Sequence, residues 1–188
     1  MACEVQWNVI VPPATHIEIE GIKYPLEPKD PTVSNGNSFY DTVGKTQNIA
    51  HDKFRQNICL KMFSNKDLHK SYWLPYCAEQ RLEEEGLKRL AEKGKECTEE
   101  EIEQGWMEYT RSSMRDNVIP EILERLETAA HINRAITVIE TYGEHRLSVM
   151  RFTRYTPDRE VAWDLPKKDG DLVLVYDNGY YRLLADRV

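Results

Sequence analysis

Little in this chain points toward a metal, a membrane or a nucleic acid. Cysteine is scarce: Cys3, Cys59, Cys77 and Cys97 stand at wide, irregular spacings with no C-x-x-C pair. A zinc site draws on thiolates or histidines at short fixed spacings, so no metal is expected, and no cofactor either. A disulfide framework needs a secreted chain. The start, Met1-Ala2-Cys3-Glu4-Val5, has neither the basic head nor the apolar core of a signal peptide. No apolar run approaches the roughly 18 residues that a membrane-spanning helix needs. The expectation is an intracellular protein, cytoplasmic or nuclear, with reduced thiols and no membrane partner. A basic surplus is also missing, because 25 Lys and Arg face 32 Asp and Glu for a net charge of -7. Nucleic-acid affinity feeds on phosphate neutralisation, so a nucleic-acid partner is not expected. The five histidines, His16, His51, His69, His131 and His145, include no pair at the spacing of a helical metal site. Their bland reading is ordinary surface or half-buried positions.

What is present suits one α+β domain over residues 1–188. The chain is 40% hydrophobic and 30% charged, enough apolar residue for a sizeable core. Residues 1–30 read as N-terminal strands and an extended lead-in, with 5–11 and 16–24 alternating and Pro25, Pro28 and Pro31 beyond them. Residues 31–187 read as the core. Helices are predicted from Ser38, over 51–63, over 76–94 (weakened by Gly86), from a capping box at Thr98 and Glu101, and after Pro120. Ser38, with Asp41 three residues on, resembles a cap for the first of these. Strands are predicted at Ile136–Ile139, Arg146–Phe152 and Leu172–Tyr176, the last apolar enough for a central strand. Asp177-Asn178-Gly179 is a hairpin signal leading into Tyr180–Leu184.

Two motifs carry chemistry in their pattern. The first is Asn35-Gly36-Asn37-Ser38-Phe39, a glycine turn opening a helix. A nucleophile there gains from the helix dipole and from free backbone N–H groups that can hold an oxyanion. The second is the apolar run Leu172–Tyr176, the turn, then Tyr180-Tyr181-Arg182. Together they resemble the two halves of the active site of the ovarian-tumour (OTU) family of deubiquitinating cysteine proteases. That family's front motif is Asp-Gly-Asn-Cys-Phe at a helix start, and its closing motif is a strand, a turn and His-Tyr. Between them, Trp106, Tyr109, Glu121, Leu126, Ala129-Ala130 and Ile136–Ile139 resemble the family's helix that leads into an Ile-x-Val strand. The resemblance spans about residues 30–187. It implies a cysteine-protease fold with a central, mainly antiparallel sheet flanked by helices, and ubiquitin or a ubiquitin-like protein among the partners to consider.

The departures fall on the working parts. Ser38 stands where the resemblance implies a nucleophilic cysteine, and a hydroxyl needs a positioned base to act. Tyr180 stands where it implies histidine, and a phenol with a pKa near ~10 is a poor proton acceptor at pH 7. Arg182, at the orienting position, has no acceptor. Asn35 has lost the charge of the aspartate that some members use. The expectation is therefore a catalytically inactive OTU-like domain with a protein partner. The turn Asn35, Gly36, Asn37 would persist as a structural relic, and Trp73 and Tyr76 form a candidate interaction patch. The alternative is an active deubiquitinase or other hydrolase using Ser38 with an unconventional base. Cysteine-to-serine is also a laboratory substitution, but a cysteine at 38 would still lack its histidine. Cys59 and Cys77 read as buried structural thiols. Asp116-Asn117, with Arg111-Ser112-Ser113, reads as a loop able to lie over the front motif.

Overall fold

The computed structural model describes residues 15–19, 22–65, 99–142, 146–153 and 170–184. The expected strand at 5–11, the helix over 76–94, the Thr98 cap and the Trp73 and Tyr76 patch lie outside these residues. The same holds for Cys3, Cys77, Cys97, His69 and His145.

A hairpin comes first, with β1 (His16–Ile19) antiparallel to β2 (Ile22–Pro25). A short 3-10 turn at Asn35–Asn37 runs into helix α1 (Ser38–Thr46), and α2 (His51–Ser64) follows. Further along are α3 (Glu99–Ser113) and α4 (Ile122–Ile132). The main sheet is built from β3 (Ile136–Tyr142), β4 (Arg146–Phe152), β5 (Leu172–Asp177) and β6 (Tyr180–Leu183), in the order β4-β3-β5-β6. Both hairpin pairings, β3 with β4 and β5 with β6, are antiparallel, while β3 and β5 run parallel with Ile136 opposite Leu172. The fold class is α+β, as expected. Its sheet is mainly antiparallel, with one parallel pair at the centre.

Strand β5 shows why the sheet has two covered faces. Leu172, Val173, Leu174 and Val175 are all buried, and side chains alternate across a strand. Leu172 and Leu174, with Ile136 and Val138, pack against Phe39, Val43, Phe54, Ile58, Trp106 and Leu123 of the helices. Val173 and Val175, with Ile139 and Val149, pack against Ile17 and Leu26 of the hairpin side. Each fully buried Val or Leu contributes about 1.5–3 kcal/mol. The Leu26–Leu184 bridge stitches that hairpin to the end of β6.

Two local readings change. Ser38 is not the N-cap of α1, where Asn37 stands: Ser34 accepts the Asn37 N–H at the start of the 3-10 turn, and Asp41 is paired with Lys45 at 2.6 Å. The chain reaches α1 already helically wound, so no donor at its start calls for Ser38. Pro120 likewise stands before α4, whose preceding residue is Glu121, and its carbonyl accepts the Tyr181 hydroxyl at 2.9 Å.

Buried carboxylates tie the elements together. Glu124, fully buried on α4, accepts from Tyr109 Oη at 2.7 Å, Ser113 Oγ at 2.8 Å and the Glu121 N–H at 3.2 Å. Asp171 receives a two-pronged contact from Arg151, at 2.6 and 3.0 Å, just before β5. Removing the acceptor in Glu124→Ala leaves buried donors with nothing to meet. It is expected to cost at least about 3 kcal/mol, measured by urea unfolding.

Candidate functional site

Folding brings the two motifs together along the seam between α1 and β6. The β5–β6 turn uses Asn178 and Gly179 in left-handed conformations, at φ 49 and 80. Side chains other than Asn, Asp and Gly are strained there, which is why the Asn-Gly pair marks a hairpin. This turn lies against the front motif, since a Cβ on Gly179 would stand 3.1 Å from Nδ2 of Asn35.

Ser38 is fully buried. Its hydroxyl donates to the Asn35 carbonyl at 2.7 Å and accepts the Tyr181 N–H at 2.9 Å. Among the described residues no histidine or carboxylate hydrogen-bonds to it. His16 meets Thr15 Oγ1 at 3.1 Å, and His51 lies 3.6 Å from Asp41. His131 packs its ring 5.8 Å from that of Phe54.

The two tyrosines of the closing motif part company. Tyr180 donates its hydroxyl to the Asp30 carbonyl at 3.1 Å and carries Lys29 over its ring at 4.6 Å. Burial pushes its phenol above the usual range. Tyr181 turns into the core, edge-on to Phe39 at 5.1 Å. Its hydroxyl receives Arg125 Nε at 3.0 Å, and burial raises its pKa further. Arg125 in turn reaches Glu140 at 2.7 Å, so one guanidinium joins α4, β3 and β6. Burial opposes the charge on Arg125, but Tyr181 and Glu140 outweigh it and hold the guanidinium protonated. Arg182 lies 3.9 Å from Asp177 across the hairpin, its pKa lowered by burial.

The front turn is covered from its other side. A Cβ on Gly36 would stand 2.2 Å from the Asp116 carbonyl oxygen, so only glycine admits this approach. Its φ is not in the left-handed region. The residue is therefore required by closeness and not, as the sequence motif suggests, by a tight bend. Asn37 gives its N–H to Ser34, whose hydroxyl reaches the Asp116 carbonyl at 3.2 Å. Buried Arg55, on α2, donates to the carbonyls of Gly36, Arg115 and, at 3.1 Å, Val118. Asp116-Asn117 thus lies on the front motif as expected, whereas Arg111-Ser112-Ser113 is the last turn of α3 and not loop.

A cavity of about 250 Å³ opens beside the seam, lined by Asp30, Asp41, Lys45, Tyr180 and Arg182 among others. Ser38 does not line it. Thr32 holds the Asp30 carboxyl below its usual pKa, through its hydroxyl and then its N–H. Among the described residues no group of three His, Cys, Asp or Glu could hold a metal ion, and no helix is long and apolar enough to cross a membrane. Cys59 is buried on α2, as expected.

Sequence reasoning missed Arg55 and Arg125. Their signal is phase: Arg55 shares the spacing of Ile58 and Met62, and Arg125 that of Ile122 and Ala129, so both arginines stand on core-facing stripes. Ser38→Ala removes the donor and acceptor of a buried hydroxyl and strands the Tyr181 N–H. A loss of about 1–3 kcal/mol in urea unfolding is expected, where an exposed serine at a helix start would change stability by less than about 0.5 kcal/mol.

The sequence matches no family model and no curated protein. Among solved structures it is similar to the OTU domain of OTUD1, at 15% identity over 87% of this chain and 86% of that one, with a TM-score of 0.48. It is similar to the viral OTU domain protease from Dera Ghazi Khan virus, at 13% identity over 86% and 80% of the two chains, with a TM-score of 0.47. The viral OTU domain protease from Farallon virus aligns over 96% of both chains, at 12% identity and a TM-score of 0.56. Identity this low speaks to fold alone, and the fold of this chain is OTU-like.

Proposed function

We propose that this chain is a non-catalytic OTU-like domain that works as a protein-interaction module. The observation that carries this reading is the state of the Ser38 hydroxyl. It is buried, its proton goes to a backbone carbonyl, and its lone pair takes a backbone N–H. A serine nucleophile needs a base to take that proton and a path to an acyl carbon. Neither is supplied at this position by the described residues. Tyr180 supports the same reading, because a phenol is already neutral at pH 7, burial raises its pKa further, and its hydroxyl is directed to the Asp30 carbonyl. Arg182 offers no acceptor to orient a base. The partner is a protein, with ubiquitin, a ubiquitin-like protein or a newer partner on the same scaffold as the choices; the last is preferred, because no ubiquitin-contact residue is identifiable in the sequence.

A ubiquitin suicide probe is expected to leave the native chain unlabelled, and to leave Ser38→Cys unlabelled as well. A serine-reactive fluorophosphonate should also fail to modify Ser38. Cleavage of ubiquitin chains by the native sequence, or fluorophosphonate labelling that disappears in Ser38→Ala, would sink the proposal and establish the hydrolase alternative. Titration of monoubiquitin into the isotopically labelled protein then separates the partner choices. Shifts clustered on the α1–β6 seam favour ubiquitin, and an unchanged spectrum favours a different protein.

A further inference from the structure

Residues 114–118 are held to the front turn in an unusual way. Met114, Arg115, Asp116 and Asn117 all point their side chains to solvent, and Val118 is half-buried. The segment therefore buries little apolar surface of its own, which marks the low-stability end of a structure. Its inward contacts are made almost wholly by its main chain. Arg115 and Val118 give their carbonyls to Arg55, and Asp116 gives its carbonyl to Ser34 while lying on bare Gly36.

The group that gathers these carbonyls is itself incompletely satisfied. Arg55 is buried, with its guanidinium 4.5 Å from the centre of the Tyr40 ring. Burial lowers its pKa. Among the described residues no carboxylate pairs with it, and its Nε has no hydrogen-bond partner. Among the described residues its direct contacts are carbonyls and a ring face, with Glu124 and Asp116 attracting it from beyond contact distance, so it has recovered part of its hydration. The clasp thus joins several carbonyls to one cation at a modest net free energy, the combination that permits reversible release.

We propose that residues 114–118 form a strap that opens and closes as a unit over the Asn35–Asn37 turn, with Arg55 as its latch and Gly36 as its seat. Closed, the strap buries Gly36. Open, it uncovers the main chain of the front turn and frees the Ser34 hydroxyl, while the sheet and the α1–β6 seam stay intact. The regulatory meaning of this motion rests on reading the front turn as a relic of a nucleophile turn. The motion itself does not, so the two can fail separately.

Residue-resolved hydrogen exchange on the full chain tests the strap without any ubiquitin reagent. The amide to watch is Val118: the Arg115 carbonyl that accepts it at 3.2 Å also accepts Arg55, so the turn holding this amide loosens when the latch is released. In the unmodified chain it should exchange through an opening that is smaller and less urea-dependent than the one that releases the β5 amides. Gly36→Ala unseats the strap and Arg55→Met removes the latch. Each should speed Val118 exchange roughly ten- to hundredfold, the loss expected for hydrogen bonds to a charged group, with β3 and β5 protection unchanged. If Val118 and the β5 amides exchange together in the unmodified chain, or if Gly36→Ala leaves the Val118 rate unaltered, there is no strap. If Arg55→Met folds and leaves that rate unaltered, Arg55 is not its latch and the proposal falls. Should that variant not fold, the unmodified chain and Gly36→Ala still decide the matter.

Discussion

Strand β6 is the last described strand on its side of the sheet, and its outer edge is met by α1 and by the chain at Glu27. That placement imposes the constraint on which the site depends. An edge strand presents main-chain N–H and C=O groups outward, and a covered group without a partner is costly. The Tyr181 N–H goes to Ser38 Oγ, the Tyr181 carbonyl accepts Thr42 Oγ1 at 3.4 Å, and the Leu183 carbonyl accepts the Glu27 N–H at 3.0 Å. A hydroxyl at position 38 can accept from the strand and donate to the turn at once. A thiol would do both more weakly, because sulfur is a poor donor and a poor acceptor. Serine at this place has a structural explanation that needs no chemistry.

The second layer of the design is a pair of arginines drawn into the core. Arg125 binds Tyr181 and Glu140, and so fixes the closing motif to α4 and β3. Arg55 binds the front turn to the segment after α3. Arg125 has a carboxylate at contact distance, whereas among the described residues Arg55 contacts carbonyls and the Tyr40 ring, and this difference underlies the proposed opening of the second joint. The motifs at the two ends of the seam are therefore held by different physics, although each is held by a guanidinium.

Much of the architecture was legible because its signals are local. Leu172–Val175 reads as a strand buried on both faces, Asn178-Gly179 as a hairpin turn, and the apolar stripes of α2 and α3 as core faces. Each follows from alternation, helical phase or the left-handed tolerance of Asn and Gly. The site was legible only as a pair of motifs. Their separation in the chain hides which tyrosine does what: Tyr180 and Tyr181 are neighbours, yet alternation along β6 directs one hydroxyl to Asp30 and the other to Arg125. The assignment of Ser38 as a cap failed for a related reason. The 3-10 turn before it already supplies the first helical donors with partners, and no sequence pattern distinguishes a capping serine from one whose hydroxyl reaches a strand more than a hundred residues away.

By itself the sequence determined an α+β fold, the order and type of most of its described elements, and the presence of two short motifs built around Ser38 and Tyr180. Those are properties of residue type and spacing. Only the tertiary structure decided that Ser38 is buried and spent on the backbone, that Gly36 is needed for closeness, and that Arg55 and Arg125 each tie one motif to its neighbours. Such facts depend on which surfaces meet, and contacts between residues distant in the chain leave no periodic trace in it.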